Sequence, residues 1–190
     1  NLNIEFILQE YINNPLLYKG KKFHLRGYFI YNYTNDDNKE GYLFDDHIIL
    51  TAKLPYVSYD YNNKDIHDSR LKSTSEIATL KLNIFDSLSE TIKNKINNDI
   101  KILFTHILKL THFKCWPEAK NCYQLFGSDI MITKDYQIKF IELNSNPGLK
   151  QASKFSYKNA IFEGIMENIV DKIFPPVDYK KDDISKYPKF

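Results

Sequence analysis

The stretch from Asn121 to Leu149 constrains the fold of this 190-residue chain more than any other. The segment Cys122–Thr133 is rich in aromatic and branched residues, and apolar and polar residues alternate over Gln137–Asn144. Both patterns are typical of β-strands, and the segment between them, Lys134–Tyr136, has turn residues but no glycine. The stretch therefore predicts a β-hairpin, which is a unit of an antiparallel sheet.

The length of the hairpin loop decides which side chains face one another. If the loop has an even number of residues and is centred between Asp135 and Tyr136, Asp129 lies directly across from Glu142. Because side chains alternate with a period of two, Asn144 then shares the face of Glu142. A loop with an odd number of residues would shift the register and separate these side chains.

Asp129, Glu142 and Asn144 would together offer oxygen ligands on one sheet face. Two carboxylates facing each other cost about 0.2–1 kcal/mol, and a hard cation between them would offset this repulsion. Mg2+ typically binds one or two carboxylates and completes its shell with water and phosphate oxygens. The alternative is the polar, solvated face of an ordinary hairpin, and the spacing alone does not decide between the two.

The motifs of this hairpin resemble those of the tubulin–tyrosine ligase family. Leu125–Asp129 (LFGSD) and Ile141–Leu149 (IELNSNPGL) are similar to the family pattern of FGxD followed by EVNxxPxL. The resemblance implies the ATP-grasp fold and a reaction that uses ATP to join a carboxylate to an amine. It further implies ATP and Mg2+ as cofactors, with the ions held by Asp129, Glu142 and Asn144.

Two earlier segments extend the resemblance. Gln9–Leu17 (QEYINNPLL) is similar to the family's hinge segment, and Lys22–Arg26 (KFHLR) is similar to its KFDxR motif. The first implies adenine contacts from the backbone of Gln9, Glu10, Tyr11 and Ile12, although position 10 is usually basic in the family. The second implies that Lys22 lies near ATP. It also implies a catalytic Arg26 that binds an acceptor carboxylate or a phosphate, a task suited to its forked guanidinium.

The chain departs from the family pattern at three places. His24 replaces an aspartate of KFDxR, and Leu50 stands where an arginine is expected. The segment Ile66–Arg70 retains only His67 and the small hydroxyl residue Ser69 of the family's HLTN motif. These departures favour an alternative hypothesis, a non-catalytic nucleotide- or protein-binding remnant of the fold.

The remaining pattern predicts an α+β fold with a mainly antiparallel sheet and packed helices, which the resemblance implies is the C-terminal subdomain of an ATP-grasp enzyme. Strands are predicted over Phe6–Ile12 and Gly20–Tyr33, and a loop over Ser58–Ser75. One long helix is predicted over Ser87–Phe113, opened by a capping box of Ser87 and Glu90, and a second over Tyr157–Phe174. We expect one domain over residues 1–175, a polar tail over 176–190, and a longer parent protein that supplies the other half of the ATP site.

Composition restricts the remaining function classes. A net charge of +2 offers no electrostatic basis for binding nucleic acid or a membrane surface. Two cysteines form no disulfide framework, which favours reduced thiols and a cytoplasmic location. The spacing of His106, His112, Cys115 and Cys122 matches no zinc motif, so His106 is expected in the core.

The resemblance implies a carboxylate–amine ligase that adds an amino acid to a protein or peptide through an acyl phosphate. The expected partners are a free amino acid and an acceptor for which tubulin is one candidate. A ligase acting on a small peptide is a further alternative to the non-catalytic remnant.

Overall fold

The computed structural model describes residues 8–35, 38–44, 47–69, 77–80, 88–110 and 122–147. The predicted helix over Tyr157–Phe174 and the predicted tail therefore lie outside the described residues. The described elements, in chain order, are β1 (Leu17–Tyr18), β2 (Lys21–Asn35), β3 (Asn38–Leu43), β4 (His47–Thr51), α1 (Lys64–His67), β5 (Ile77–Leu80), α2 (Glu90–Leu110), β6 (Cys122–Ile132) and β7 (Ile138–Asn144).

These strands form a seven-stranded sheet with the order β5-β4-β2-β6-β7, and β1 and β3 also pair with β2. The long strand β2 runs antiparallel to β1, β3 and β4. The α+β class and the mainly antiparallel sheet predicted from the sequence are therefore confirmed.

A tight turn joins β1 to β2. Tyr18 pairs with Lys21, and both residues between them have positive φ, 50° at Lys19 and 74° at Gly20. Two-residue loops of this mirror-image type match the right-handed twist of paired strands. Glycine tolerates that conformation without cost, whereas Lys19 adopts it against its steric preference.

The predicted strand over Gly20–Tyr33 is confirmed by β2, and the first half of this strand is buried on both faces. Phe23 and Leu25 are buried on one face, as alternation requires. Lys22 and His24, on the other face, are also buried, with 8% and 7% of their surface exposed. The sequence cannot reveal this burial, because the residues that cover this face come from distant parts of the chain.

The predicted hairpin is confirmed as β6 and β7, but its loop is odd-numbered. The Thr133 N–H donates to the Gln137 carbonyl at 3.0 Å, and the Tyr136 N–H donates to the Thr133 carbonyl at 2.9 Å. Tyr136 has a φ of 58°, the left-handed residue typical of three-residue loops. The even-numbered loop assumed above is therefore wrong, although Asp129 and Glu142 still line one cavity.

The long helix is confirmed over Glu90–Leu110. Its cap is Ser89, whose hydroxyl accepts from the Ile92 N–H at 3.4 Å, whereas Ser87 lies outside the described residues. Ile96, Ile100 and Phe104, spaced four residues apart, are buried, and Phe104 packs on Phe29 with ring centroids 5.1 Å apart. The helix thus packs on the Phe29 side chain of β2.

Two sequence predictions about local structure are wrong. Residues 8–12 of the predicted first strand are in no strand, because the chain joins the sheet only where Pro15 bridges Thr133. The predicted loop over Ser58–Ser75 contains the one-turn helix α1, capped by Asn63, whose side chain accepts from the Asp65 N–H at 3.1 Å. A helix of one turn is too short to produce a detectable hydrophobic period.

Two predictions about the histidine and cysteine group are also wrong. His106 is exposed on α2 rather than buried in the core, and Cys122 is disulfide-bonded rather than a free thiol. His112 and Cys115 lie outside the described residues.

Contacts divide the chain into two compact units. The first contains the residues up to Arg26, Ile48–Ile100 and Asp129–Glu142, and it holds the cavity described below. The second contains Gly27–His47, Lys101–Ser128 and the residues from Leu143 onward, and its core includes the Phe29–Phe104 contact.

Candidate functional site

The first unit contains a cavity of about 520 Å³. This volume lies within the range of about 300–1,000 Å³ typical of small-molecule sites. The lining residues come from the segment before β1, the polar face of β2, the α1 region and the β6–β7 hairpin: Gln9, Glu10, Tyr11, Ile12, Lys22, His24, Tyr61, Lys64, His67, Asp68, Ser69, Asp129, Met131, Ile141 and Glu142.

A chain of hydrogen bonds fixes one wall of the cavity. The His67 Nε2 lies 2.7 Å from the Asp60 carbonyl, which can only accept, so this nitrogen carries the proton. In the neutral ring the His67 Nδ1 then accepts from the Tyr11 hydroxyl at 2.6 Å. The Tyr11 hydroxyl in turn accepts from the Lys22 ammonium at 3.2 Å. These groups therefore form a hydrogen-bond relay, a continuous chain of donors and acceptors from the Lys22 ammonium to the Asp60 carbonyl.

Aromatic rings reinforce the same wall. Tyr61 stacks on His67 with ring centroids 5.9 Å apart and an interplanar angle of 16°. Tyr11 meets Tyr61 edge to face at 5.5 Å, and Tyr56 meets His67 in the same way at 5.7 Å. Burial, followed by the influence of Tyr56, raises the pKa of the Tyr11 hydroxyl, so Tyr11 stays neutral and keeps its place in the relay.

Lys22 is a buried cation, and its neighbours offset only part of the desolvation cost of its charge. Its ammonium lies 4.3 Å from the centroid of the Tyr11 ring, a cation–π contact, and only 8% of the residue is exposed. Burial lowers the pKa of Lys22, and the carboxylate of Asp68 opposes that shift without cancelling it. An anion in the cavity would therefore stabilise the charged form of Lys22.

Asp129 and Arg26 form the main ion pair of the cavity. The Arg26 Nε donates to Asp129 Oδ1 at 2.5 Å and its Nη2 donates to Oδ2 at 2.8 Å, a two-pronged arrangement. Their side chains are 18% and 7% exposed, respectively. Of the two residues, Asp129 is the one that lines the cavity.

His24 adds a third group to this pair. Its Nδ1 lies 2.6 Å from the Ser69 hydroxyl and its Nε2 lies 3.7 Å from Asp129 Oδ1. A nitrogen that faces a carboxylate is best protonated, so we assign the proton to Nε2 and let the Ser69 hydroxyl donate to Nδ1. His24 then presents an N–H toward Asp129 and the cavity.

Asp129 and Glu142 are the residues in the cavity that could hold the divalent cation expected from the sequence. A carboxylate offers about four lone pairs, so Asp129 retains acceptor capacity beyond its two bonds to Arg26. Glu142 is exposed and lines the same cavity. Among the residues that the structure describes, no three His, Cys, Asp or Glu side chains are grouped to hold a metal ion. An ion here would take two carboxylates and draw further ligands from water or phosphate, as Mg2+ does.

The structure brings most of the predicted site residues together. Gln9, Glu10, Tyr11, Ile12, Lys22, Asp129 and Glu142 line the cavity, and Arg26 reaches it through Asp129. Asn144 lies two residues beyond Glu142 at the end of β7 and is not among the lining residues. The assigned roles of all these residues remain predictions.

Several cavity residues were not predicted from the sequence. Tyr61 and Lys64 carry no detectable signal, because they lie in a polar segment without periodicity. Met131 and Ile141 could have been found, since they occupy apolar positions in the same two strands as Asp129 and Glu142.

Comparison with known proteins gives a consistent match. A model of the tubulin–tyrosine ligase family matches residues 3–183. The chain is 29% identical over 201 residues to the probable tubulin–tyrosine ligase PBY1 of Saccharomyces cerevisiae, covering 94% of this chain and 26% of that protein. It is 25% identical over 182 residues to a probable tubulin–tyrosine ligase of Schizosaccharomyces pombe, covering 90% of this chain and 41% of that protein.

A similar match is found to a tubulin polyglutamylase of Mus musculus. The identity is 25% over 195 residues, covering 87% of this chain and 26% of that protein. The chain therefore spans well under half the length of each of these relatives. Within the described part of the chain, no helix has the length and apolar character needed to span a membrane.

Proposed function

Because the chain belongs to the tubulin–tyrosine ligase family, we propose that it forms the metal-binding half of the active site of an ATP-dependent carboxylate–amine ligase. The proposed reaction activates an acceptor carboxylate as an acyl phosphate, which the amine of an amino acid then attacks to release phosphate. The observation that carries this proposal is the cavity itself. It combines buried Lys22 with the carboxylates of Asp129 and Glu142.

The chemical class of the ligand follows from the charges in the cavity. Lys22 is nearly enclosed, burial lowers its pKa more than the Asp68 carboxylate raises it, and a phosphate group would add a further counter-charge. Lys64 lines the same cavity and adds a second cation. The carboxylates of Asp129 and Glu142 repel a bare phosphate, so a phosphate ligand is favoured together with a divalent cation.

The apolar part of the cavity suits a purine ring. Met131 and Ile141 belong to β6 and β7 and line the cavity together with the segment Gln9–Ile12. Residues 8–12 are in no strand, so their backbone groups are not committed to the sheet ladder. We propose that a purine ring lies between these surfaces and hydrogen-bonds to the backbone of the segment, as the family resemblance implies.

Each polar residue then has a defined task. Asp129 and Glu142 would hold Mg2+, which supplies charge neutralisation at the phosphates. Lys22 would donate to a phosphate oxygen, and the relay through Tyr11 and His67 keeps its ammonium in place. Arg26 has the planar fork needed to orient an acceptor carboxylate.

The relatives narrow the choice of amino acid and acceptor. Their names describe tubulin–tyrosine ligases, tubulin polyglutamylases and tubulin glycylases, so tubulin is the first acceptor to test. Tyrosine, glutamate and glycine are the corresponding amino acids. A small-peptide acceptor is the alternative within the same reaction class.

The test is a ligation assay with the full-length protein. Tubulin, Mg-ATP and each of the three amino acids are incubated with the protein, and the mass of the tubulin tails is measured together with the ADP released. We expect one amino acid to increase the tail mass in an ATP-dependent manner. ADP release without a tail-mass increase directs the assay to small peptides.

The second candidate function, a non-catalytic nucleotide-binding remnant, is favoured by one observation. His24 replaces the aspartate of the family motif, and Arg26 is already engaged by Asp129. Raised thermal stability with Mg-ATP but no ADP release would support the remnant. If the protein shows neither nucleotide binding nor ATP turnover, both candidate functions are overturned.

A further inference from the structure

Arg26 and Asp129 are assigned to different ligands by the proposed function, yet the structure pairs them with each other. The guanidinium donates to both carboxylate oxygens, and both side chains are largely shielded from solvent. Asp129 thus occupies the Nε–Nη2 edge of the guanidinium, one of the two edges at which Arg26 could bind an acceptor carboxylate. Arg26 in turn occupies part of the oxygen pair that would bind a cation.

Arg26 cannot easily bind Asp129 and an acceptor carboxylate at the same edge of its guanidinium. An acceptor carboxylate on the same fork would approach the Asp129 carboxylate in a site where Asp129 is 5% exposed. Like charges in such a place repel strongly, because little water screens them. A free acceptor carboxylate is therefore disfavoured while Asp129 holds Arg26.

A divalent cation on Asp129 reverses this balance. The cation competes with the guanidinium for the carboxylate oxygens, and the two positive groups repel each other. The imidazole of His24 is held by Ser69 and lies on the same side of the pair, with its Nε2 3.7 Å from Asp129 Oδ1.

We propose that Asp129 acts as an internal carboxylate that keeps Arg26 occupied until a divalent cation takes Asp129, so that the acceptor carboxylate binds after the metal–nucleotide. This inference rests on the proposed function and adds an order of binding to it. The exchange is a coupling between two sites, and couplings of this kind typically change affinity by about 5–150-fold.

The first experiment measures the cation alone. Free Mn2+ is titrated into the full-length protein without nucleotide and followed by electron paramagnetic resonance. Competition predicts that Arg26→Gln tightens Mn2+ binding by about fivefold or more, and that Arg26→Lys, which keeps the charge but loses the fork, gives an intermediate affinity. Lys95→Gln, which breaks an exposed pair with Asp99 outside the cavity, is the matched control and should bind Mn2+ as the wild type does.

The second experiment measures the carboxylate. A fluorescently labelled tetraglutamate peptide is titrated by polarisation, with and without Mg2+ and a non-hydrolysable ATP analogue. Wild type should bind the peptide about fivefold or more tightly when the metal–nucleotide is present. Asp129→Asn removes the internal carboxylate, so it should bind the peptide tightly without any metal and gain nothing from its addition.

The outcomes separate this inference from the function on which it rests. Weaker Mn2+ binding in Arg26→Gln would mean that Arg26 merely orients Asp129 for the ion, and the exchange would be overturned. Peptide binding that ignores the metal–nucleotide in wild type would overturn it as well. If the nucleotide itself fails to bind, the proposed function fails, while the Mn2+ comparison still reports on the competition. The Arg26 variants also keep the test decisive if Asp129→Asn does not fold.

Discussion

The Lys22 ammonium lies 4.3 Å from the centroid of the Tyr11 ring and donates a 3.2 Å hydrogen bond to the hydroxyl of the same residue. One aromatic side chain thus supports a buried cation both by its face and by its hydroxyl. A contact of this kind is worth about 0.5–2 kcal/mol, which offsets only part of the desolvation cost. The remaining cost has a measurable dependence on pH.

The pKa of Lys22 in the folded chain is below its ordinary value of 10.5. The unfolded state therefore binds more protons between the lowered pKa and 10.5, so the Lys22 contribution to the free energy of unfolding rises with pH over this range. Below the lowered pKa the full cost of the buried charge remains. We expect the free energy of unfolding of Lys22→Met, relative to that of wild type, to be highest at neutral pH and to fall as the pH approaches 10.5. Urea unfolding of both proteins at several pH values measures this difference, and a constant difference would contradict the prediction.

Glu142 is expected to be essential for nucleotide binding but not for folding. It is exposed, so Glu142→Gln should leave the stability of the ligand-free protein within about 1 kcal/mol of wild type. At 100 times the dissociation constant, Mg-ATP should stabilise wild type by about 2.7 kcal/mol, and this gain should disappear in the variant. Thermal melting of the full-length protein with and without Mg-ATP measures both effects. Glu90→Gln, at an exposed position on α2, serves as the matched control.

Replacing His24 with the family's aspartate should destabilise the protein rather than repair it. The new carboxylate would lie beside Asp129, where His24 Nε2 now lies 3.7 Å from Oδ1, at a position that is 7% exposed. We expect His24→Asp to cost about 1–3 kcal/mol, and His24→Asn, which adds no charge, to cost less. Chemical denaturation gives the two values. Nucleotide binding by wild type should not require the change, so calorimetry that detects ATP binding only in His24→Asp would refute this prediction.

The core contact between α2 and β2 should dominate the stability of the second unit. Phe104 is 3% exposed and packs on Phe29, so Phe104→Ala should cost about 3–5 kcal/mol. Ile102 lies on the same helix but is 46% exposed, and Ile102→Ala should change stability by no more than about 0.5 kcal/mol. Urea denaturation curves compare the two variants. Equal losses would mean that α2 does not pack as described.

Gly27 should be intolerant of a side chain for steric reasons. A Cβ at this position would lie 3.0 Å from the Ser128 Oγ and 3.1 Å from the His47 Nδ1, and both residues are buried. We expect Gly27→Ala to cost about 1–3 kcal/mol and Ser128→Ala to restore part of that loss by removing the nearest atom. Gly20→Ala is the contrasting case, since its strain comes from a φ of +74° and should not respond to Ser128→Ala. A double-mutant cycle in urea provides the comparison.

The sequence was sufficient where the local pattern determines the structure. The aromatic and branched residues of Cys122–Thr133 and the alternation in Gln137–Asn144 predict the hairpin, and the apolar period of residues 90–110 predicts α2. The register of the hairpin was missed because it depends on Tyr136, which adopts a φ of 58° without being glycine. A left-handed residue of this type has no compositional signature, so the loop could not be counted correctly.

The site was predicted by motif, but its interactions were not. Arg26 and Asp129 are separated by 103 positions in the chain, and only the folded sheet brings their side chains into contact. The same holds for His24 and Ser69, which are separated by 45 positions. A motif identifies residues that bind ligands, whereas the pairing of these residues in the absence of ligand depends on the tertiary structure.

The position of β7 bears on how this chain behaves when it is produced by itself. Among the described strands, β7 ends the order of the sheet and has a neighbour on one side only. Phe140 and Ile141 are consecutive apolar residues on it, 40% and 37% exposed. An apolar terminal strand is a template for pairing with another copy, and Lys139 and Glu142 beside this pair are charges that limit such pairing. Aggregation of the isolated chain should therefore begin at this strand, and neutralising Lys139 should accelerate it.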